Sequence, residues 1–251
     1  MEMVGYIMFQ DVRHTTIFCG NLGSGKTEIA INFALSLKNI VANVSLVDID
    51  IVNPYFRTRM VRDYLIQLGI NVVCPVGELA GADVPAFPPS ILGVLENPEV
   101  NGVFDVGGDD IGATALGRFK PYLPEGSYHL YFVTNTMRPF TRDVNGILKY
   151  VSSVEKASRL KVTAMVNNTN LGLETDLDTV AGGHDVVCQA ARKLGVPVAF
   201  TASMRHLSAA LKDKLDTPVL PLDLNMQPPW NRTEEEQRGF QLKIPKERFF
   251  K

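Results

Sequence analysis

The stretch Gly20-Asn21-Leu22-Gly23-Ser24-Gly25-Lys26-Thr27 decides the fold, because it fits the phosphate-binding pattern G-x-x-x-x-G-K-[ST] in full. An apolar run precedes this stretch and an amphipathic run follows it, as a strand, loop and helix would require. Glycines let the backbone curl so that successive N–H groups point inward, and the helix N-terminus adds partial positive charge. The pattern therefore predicts a site for the phosphates of a nucleoside triphosphate.

Two residues of this loop have predicted chemical roles of their own. Lys26 is expected to place its charge on the β- and γ-phosphates, and the hydroxyl of Thr27 is expected to bind Mg²⁺. The first helical turn continues with Glu28. We expect the whole segment from Gly20 to Glu28 to line the nucleotide.

Outside the loop, short apolar runs alternate with longer amphipathic runs, which is typical of a parallel sheet covered by helices. The pattern predicts an α/β fold with three layers, a mostly parallel sheet flanked by helices. This domain is expected over residues 1–225, and an irregular C-terminal arm over residues 226–251. Predicted strands cover 15–19, 43–48, 71–75, 103–105, 129–133, 162–166, 198–201 and 218–220. Predicted helices cover 26–38, 57–68, 91–96, 113–119 and 141–157, and a further one contains 185–194.

Carboxylates follow two of the predicted strands at the points where these strands end. Asp48 and Asp50 end the second strand, and Asp105 begins a D-x-x-G stretch that contains Gly108. Carboxyl ends of parallel strands open on the same edge as the phosphate loop, so these side chains can face the metal and the γ-phosphate. We expect the Gly108 amide to detect the γ-phosphate. The alternative is that each Asp only caps a turn or a helix.

The composition and net charge of the chain argue against some classes of binding partner. The chain has 251 residues and a net charge of −2, so no basic excess points to nucleic acid or to an anionic membrane. No apolar run reaches the roughly 18 residues of a membrane span, and the N-terminus lacks the organisation of a signal peptide. We therefore expect a soluble, cytoplasmic protein. Its three cysteines are far apart and have no CxxC spacing, so we expect three buried thiols: Cys19, Cys74 and Cys188.

The phosphate loop, the stretch LVDIDIVNP and the stretch FDVGG together resemble the MinD/ParA/CobQ-type, SIMIBI-class P-loop ATPases, over about residues 14–222. The resemblance implies ATP and Mg²⁺ as cofactors. It implies that Asp48 supports the Mg²⁺ shell, that Asp50 orients the attacking water and that Asp105 is the Walker B carboxylate. It also implies that Gly108 belongs to the second switch and that Asn167 contacts adenine, although Asn167 could equally cap a turn.

One residue departs from the pattern of these ATPases. MinD and ParA proteins have a lysine directly after the first glycine of the loop, and this lysine reaches the nucleotide of the partner subunit. The corresponding residue here is Asn21, which weakens the homodimer that the resemblance implies. An arginine is the usual substitute for such a charge. The candidates are Arg57, Arg59 and Arg138, and an ordinary surface arginine is the alternative for each.

Three functions remain open at this stage. The first is an ATP-hydrolysing switch that acts on a protein partner. The second is an ATP-dependent ligase or kinase for a small metabolite, whose acceptor pocket would be lined by Arg138, Arg142 and Asp143. The third is a nucleotide sensor that does not hydrolyse. ATP is favoured over GTP, because the stretch 167–170 lacks the Lys and the Asp of the guanine-reading motif Asn-Lys-x-Asp.

Overall fold

A single sheet of eight strands organises the computed structural model, which describes residues 13–50, 61–74, 89–108 and 110–226. The strands are β1 (Thr15–Gly20), β2 (Val44–Asp48), β3 (Asn71–Val73), β4 (Asn101–Asp105), β5 (Tyr128–Thr134), β6 (Ala164–Asn167), β7 (Val198–Met204) and β8 (Val219–Leu222). Their order in the sheet is β3-β2-β4-β1-β5-β6-β7-β8, and every neighbouring pair is parallel. All carboxyl ends therefore meet at one edge, where β1 runs into the phosphate loop.

Helices cover both faces of this sheet. They are α1 (Lys26–Lys38), α2 (Arg62–Gln67), α3 (Pro89–Glu96), α4 (Asp110–Gly117), α5 (Val144–Ser158), α6 (Leu177–Leu194) and α7 (Arg205–Lys214). Short 3₁₀ turns lie at Lys120–Tyr122, Pro139–Thr141 and Gly172–Glu174. Successive residues of β1 point to opposite faces, so Ile17 and Cys19 join the core beneath α3 to α6, whereas Phe18 joins the core beneath α1 and α2. The predicted three-layer α/β class is confirmed, and the sheet is wholly parallel.

Most of the predicted elements are present with ends shifted by a few residues, and α1 has the predicted bounds. Helix α7 was not predicted, because only Ser208 and Leu211 of it are buried and its apolar stripe is short. The predicted helix over 57–68 begins outside the described residues. Its expected apolar face is wrong in part, since Leu65 is buried whereas Tyr64 and Leu68 are exposed.

The sequence also led to predictions about membrane spans and about the burial of the cysteines. No helix within the described residues is long and apolar enough to cross a membrane. None of the three cysteines is in a disulfide within the described residues; Cys19 and Cys74 are buried, and Cys188 is partly exposed. The expectation of three buried thiols was therefore wrong for Cys188. Residues 227–251 of the predicted arm lie outside the described part of the chain.

Candidate nucleotide-binding site

The phosphate loop has three glycines at positive φ, Gly20, Gly23 and Gly25, and at Gly20 and Gly25 there is also no space for a side chain. Gly20 and Gly25 have φ values of 146° and 85°, in the region that L side chains avoid. A Cβ on Gly20 would lie 2.2 Å from the carbonyl oxygen of Val133, and a Cβ on Gly25 would lie 2.3 Å from Nδ2 of Asn168. The turn therefore needs these glycines both for its conformation and for space.

Helix α1 begins directly after this turn without a side-chain cap. Its N-cap residue is Gly25, which has no side chain that could accept from the first amides. By contrast, α5 and α6 have the N-cap residues Asp143 and Asp176, and each of these carboxylates accepts from an amide of its own helix. The first amides of a helix have no acceptor inside the helix. The N-terminus of α1 is therefore left open to an anion from outside the chain.

Side chains of the loop point largely into the protein. Lys26 is 6% exposed, and its Nζ donates to the carbonyl oxygen of Asn21 at 3.0 Å. The hydroxyl of Ser24 is buried and has no hydrogen-bond partner among the described residues. Leu22 is the exception, since its side chain lies at the surface. An ammonium group, an unsatisfied hydroxyl and the open end of α1 thus converge on one turn.

The second helical residue connects the loop to β4. Thr27 donates from its hydroxyl to Oδ2 of Asp105 at 2.6 Å. The other carboxylate oxygen of Asp105, Oδ1, is buried and has no hydrogen-bond partner in the described part of the chain. A buried carboxylate oxygen beside a hydroxyl oxygen suits a hard cation such as Mg²⁺, which usually takes one or two carboxylates and completes its shell with phosphate and water. The predicted ligands Thr27 and Asp105 therefore fit the metal.

Two more carboxylates stand beside Asp105. Strands β2 and β4 pair with Asp48 opposite Asp105, and Asp48 accepts from the amide of Asp50 at 3.0 Å. Both of these carboxylates are buried. Burial raises the pKa of Asp105 well above its ordinary value, and the neighbouring charge of Asp48 raises it further. The predicted cluster is present, and the turn-capping alternative also holds for Asp48, since its side chain closes the turn to Asp50.

The D-x-x-G stretch lies directly against the phosphate loop. A Cβ on Gly108 would lie 2.7 Å from the amide nitrogen of Leu22 and 2.8 Å from Nζ of Lys26. A Cβ on Gly107 would lie 3.1 Å from Oδ1 of Asp50. Behind this segment, Tyr150 on α5 donates to the carbonyl oxygen of Gly108 at 2.9 Å. Gly108 is therefore held between the lysine of the loop and a helix on the far side.

Two side chains from other loops complete the outer wall of the phosphate loop. Asn168, after β6, donates to the carbonyl oxygen of Ser24 at 2.7 Å. Arg138, after β5, donates through Nε to the carbonyl oxygen of Gly23 at 3.0 Å. Arg138 was predicted as a substitute charge, whereas the contact of Asn168 was not predicted. The available signal was the run of Asn and Thr after β5 and β6, which is suited to turns.

The side chain of Asn167 makes hydrogen bonds to other residues of the chain. It is fully buried, its Oδ1 accepts from the amide and the hydroxyl of Thr169, and its Nδ2 donates to the carbonyl oxygen of Val180. This bonding is the turn-capping role that the sequence left open. The contact of Asn167 with a base stays a prediction.

Glu28 faces the end of the described chain. Its carboxylate accepts from the amides of Asn225 and Met226 at 2.7 and 3.0 Å. Glu28 thus fixes the segment that follows β8 against the first turn of α1, and its contact with a nucleotide stays a prediction. The structure does not test Arg57 and Arg59, which lie outside the described residues.

The residues suggested for an acceptor pocket, Arg138, Arg142 and Asp143, make other contacts in the structure. Asp143 caps α5 by accepting from the amide of Gly146 at 2.9 Å, and Arg138 turns to the phosphate loop. The side chain of Arg142 is 75% exposed. A nearby amide of α5 takes the carboxylate of Asp143 in a local bond that costs little chain entropy, and an acceptor pocket lined by these three residues stays a prediction.

Comparisons with solved structures place this geometry in a known fold. Cell division protein ftsY from Thermotoga maritima matches with a TM-score of 0.50 and 18% identity, covering 78% of this chain and 66% of that one. The signal recognition particle 54 kDa protein from Aeropyrum pernix K1, solved in complex with GDP, matches with a TM-score of 0.51 and 14% identity, covering 80% of this chain and 43% of that one. No family model matches the sequence, and no curated protein matches it.

These likenesses, together with the parallel sheet and the phosphate loop, define the P-loop NTPase fold. At these levels of identity they speak for the fold alone. The narrower placement within that fold, the MinD/ParA/CobQ type expected from the sequence, is not confirmed by them.

Proposed function

We propose that this chain is a Mg²⁺-dependent switch that binds and hydrolyses ATP and acts on a protein partner. The observation that carries the proposal is the pair Thr27–Asp105 at the open end of α1, with a buried carboxylate oxygen that lacks a partner among the described residues. Such an oxygen costs free energy unless a cation or a donor satisfies it. A Mg²⁺–nucleotide complex would supply the cation and the anion that this site lacks.

Each residue has a defined task in this proposal. Lys26 and the first amides of α1 bind phosphate oxygens, and Thr27 and Asp105 hold the metal, with Asp48 supporting its shell. Bound Mg²⁺ would neutralise charge on the transferred phosphoryl group. Asp50 holds the attacking water by accepting one of its protons in a hydrogen bond. Its place next to Gly107 supports this role.

The switch part of the proposal rests on Gly108. Its backbone is packed against Leu22 and Lys26, so a γ-phosphate beside the lysine would compete for the same space. Tyr150 of α5 donates a hydrogen bond to the carbonyl oxygen of Gly108. A displacement of Gly108 would therefore be transmitted to α5. A change of α5 is a signal that a partner protein can read.

ATP is the proposed nucleotide because residues 167–170 read Asn-Asn-Thr-Asn and lack the carboxylate that would accept from guanine. One protein of similar fold is solved with GDP, so GTP is the necessary comparison.

Asn21 in place of a signature lysine supports a second candidate, a sensor that binds the nucleotide without hydrolysing it. A homodimer and a cytoplasmic location belong to the same proposal. A metabolite ligase is not favoured, because Asp143 is used as a helix cap.

The test measures nucleotide affinity and phosphate release with ATP and with GTP, each with Mg²⁺. Lys26→Ala should weaken binding by roughly ten- to hundredfold, since hydrogen bonds to charged groups contribute about 1.5–3 kcal/mol. Lys149→Ala, which removes an exposed lysine of α5, is the matched control and should bind normally. Asp50→Asn should retain binding and lower phosphate release by about a hundredfold. The exposed Asp213→Asn is its control.

The outcomes separate the candidates. Tight Mg²⁺-dependent ATP binding with slow release that Asp50→Asn abolishes supports the hydrolysing switch. Binding without release in any variant favours the sensor. Tighter binding of GTP than of ATP would overturn the nucleotide assignment, and equal binding by wild type and Lys26→Ala would overturn the site itself.

A further inference from the structure

A cavity of about 480 Å³ has no residue of the phosphate loop in its lining. It is bounded by α6, by the start of β7 and by the residues that precede β8, including Val198 and Thr217. These are amino-terminal ends of strands, whereas the phosphate loop, Asp48 and Asp105 stand at carboxyl-terminal ends. The cavity is therefore separate from the candidate nucleotide site.

Two residues that line this cavity, Cys188 and His184, are joined in series to a third residue, the buried Thr201. Sγ of Cys188 lies 3.2 Å from Nε2 of His184, and Nδ1 of His184 lies 2.9 Å from the hydroxyl oxygen of Thr201. Cys188 and His184 are four residues apart on α6, which places them on the same face. Thr201 is fully buried and His184 nearly so, whereas Cys188 is partly exposed to the cavity. A nucleophile in reach of a base that a third group orients is the arrangement of an activated nucleophile.

The surroundings keep the pair neutral. Burial lowers the pKa of His184 and raises the pKa of Cys188. The charged groups around the pair are Asp185 and Arg192 on α6, Lys214 on α7 and Asp216 in the loop before β8. Arg192 lowers the pKa of Cys188, whereas Asp185 and Asp216 raise it. An imidazole that is neutral at pH 7 can accept the thiol proton when an electrophile arrives.

We propose that Cys188, His184 and Thr201 form a thiol-modification site that takes small disulfides into this cavity. Sγ of Cys188 attacks one sulfur of the disulfide while its proton passes to Nε2 of His184. A new S–S bond forms between Cys188 and that sulfur, the S–S bond of the reagent breaks, and the second sulfur leaves as a thiolate that takes up the proton. Cys188 is oxidised to the disulfide level, and the reagent is the oxidant.

Disulfide exchange fits these residues better than metal binding or acyl transfer. Cys188 and His184 supply two ligands, fewer than a zinc site needs, and within the described ranges they belong to no group of three or more His, Cys, Asp or Glu that could hold a metal ion. Attack on sulfur requires no oxyanion hole, whereas acyl transfer does. The other two thiols are poor competitors, since Cys74 is buried and burial raises the pKa of Cys19 to about 12.

The test uses the full chain, with dithiobis(nitrobenzoate) to follow the rate and with oxidised glutathione to identify the adduct by intact mass. Wild type should release a single fast equivalent of aromatic thiolate, and Cys188→Ser should lose it. His184→Gln should slow the reaction by at least about tenfold, within the range of a lost general base. The wild-type rate should level off above the lowered pKa of His184, whereas the His184→Gln rate should keep rising with ionisation of the thiol.

Thr201 provides a second test that does not depend on the histidine variant folding. Thr201→Val should slow the reaction, and Thr201→Ser, which retains the hydroxyl, should restore the wild-type rate. The proposal is overturned if Cys188→Ser releases the same fast equivalent as wild type. It is also overturned if folded His184→Gln or Thr201→Val reacts at the wild-type rate with an unchanged pH profile. Nucleotide affinity plays no part in these readouts, so the site stands or falls independently of the proposed function.

Discussion

The N-termini of helices α1 and α6 differ in whether a side chain caps their first amides. Both begin with amides that have no acceptor inside the helix. At α6 the carboxylate of Asp176 accepts from the amide of Thr179 at 2.8 Å, so the chain satisfies its own donor. At α1 the N-cap is Gly25 in a left-handed conformation, and no side chain caps the helix. A helix N-terminus with a side-chain cap stabilises the protein itself, whereas one without such a cap can bind an external anion.

The carboxylates near these two ends differ in the same way. Hydrogen bonds from Thr179 lower the pKa of Asp176, which is exposed. Burial and the charge of Asp48 raise the pKa of Asp105, which lies beside the start of α1. The first carboxylate is stabilised as an anion by its own helix, and the second is destabilised until something else neutralises it. The difference between the two pKa shifts indicates that a ligand which neutralises Asp105 would stabilise the protein, whereas Asp176 needs no such ligand.

The largest effect should come from giving the open end a side chain. Gly25→Ala places a Cβ 2.3 Å from Nδ2 of Asn168 at a φ of 85°. We expect a loss of about 2–3 kcal/mol in the free energy of unfolding, from the left-handed conformation and the lost bond to Ser24, together with loss of nucleotide binding. Gly126→Ala has a similar φ of 87° and nothing within 4 Å, so it should cost only about 1–2 kcal/mol. Denaturant unfolding and nucleotide titration check both, and equal losses would contradict the role of Asn168.

A smaller effect should separate two adjacent glycines of α6. Gly183→Ala would place a Cβ 2.1 Å from Oγ1 of Thr169, and we expect a cost of about 1–3 kcal/mol from overpacking. Gly182 is exposed and a Cβ there would have nothing within 4 Å, so Gly182→Ala should raise the free energy of unfolding by about 0.5–1 kcal/mol. Denaturant unfolding of both variants checks this contrast. Changes of the same sign would show that α6 is free to shift away from the loop after β6.

The smallest effect should come from the capped end. Asp176→Ala should lower the thermal midpoint at pH 7, because the N-cap acceptor is lost. The folded-state pKa of Asp176 is lowered, so the ionised cap stabilises above the ordinary Asp range and this contribution is lost as the pH falls through the folded-state value. Thermal unfolding between pH 7 and pH 3 should therefore show a narrowing difference between wild type and variant.

Asp176→Asn is the matched control for that measurement. Asparagine keeps the N-cap acceptor and removes the charge, so this variant should stay close to wild type near pH 7 and lack the pH-dependent part. Nucleotide affinity should be unchanged in both variants, because the capped end binds no ligand in this comparison. A pH-independent difference for Asp176→Ala would contradict the electrostatic part of the argument.

Local signals were enough for the middle of the fold. The span from β1 through the phosphate loop to α1 was predicted to within one residue, since a strand, a glycine turn and a helix start each depend on neighbours in sequence. The convergence of Asp48 and Asp105 also followed from the sequence, because parallel strands share an edge. Helix α7 and the exposure of Cys188 did not follow, because packing of distant segments decides them.

The sequence by itself determined the parallel α/β class, the phosphate loop and the carboxylates at its edge, because period, turn chemistry and strand direction are properties of adjacent residues. Only the tertiary structure decided that Asn168 closes on Ser24, that Glu28 takes the amides after β8, and that His184 lies between Cys188 and Thr201. The contact between Asn168 and Ser24 joins residues 144 positions apart, and the contact between Glu28 and the amide of Asn225 joins residues 197 positions apart. Such contacts form when chain-closure entropy is offset by burial across the whole fold, and no local pattern encodes that balance.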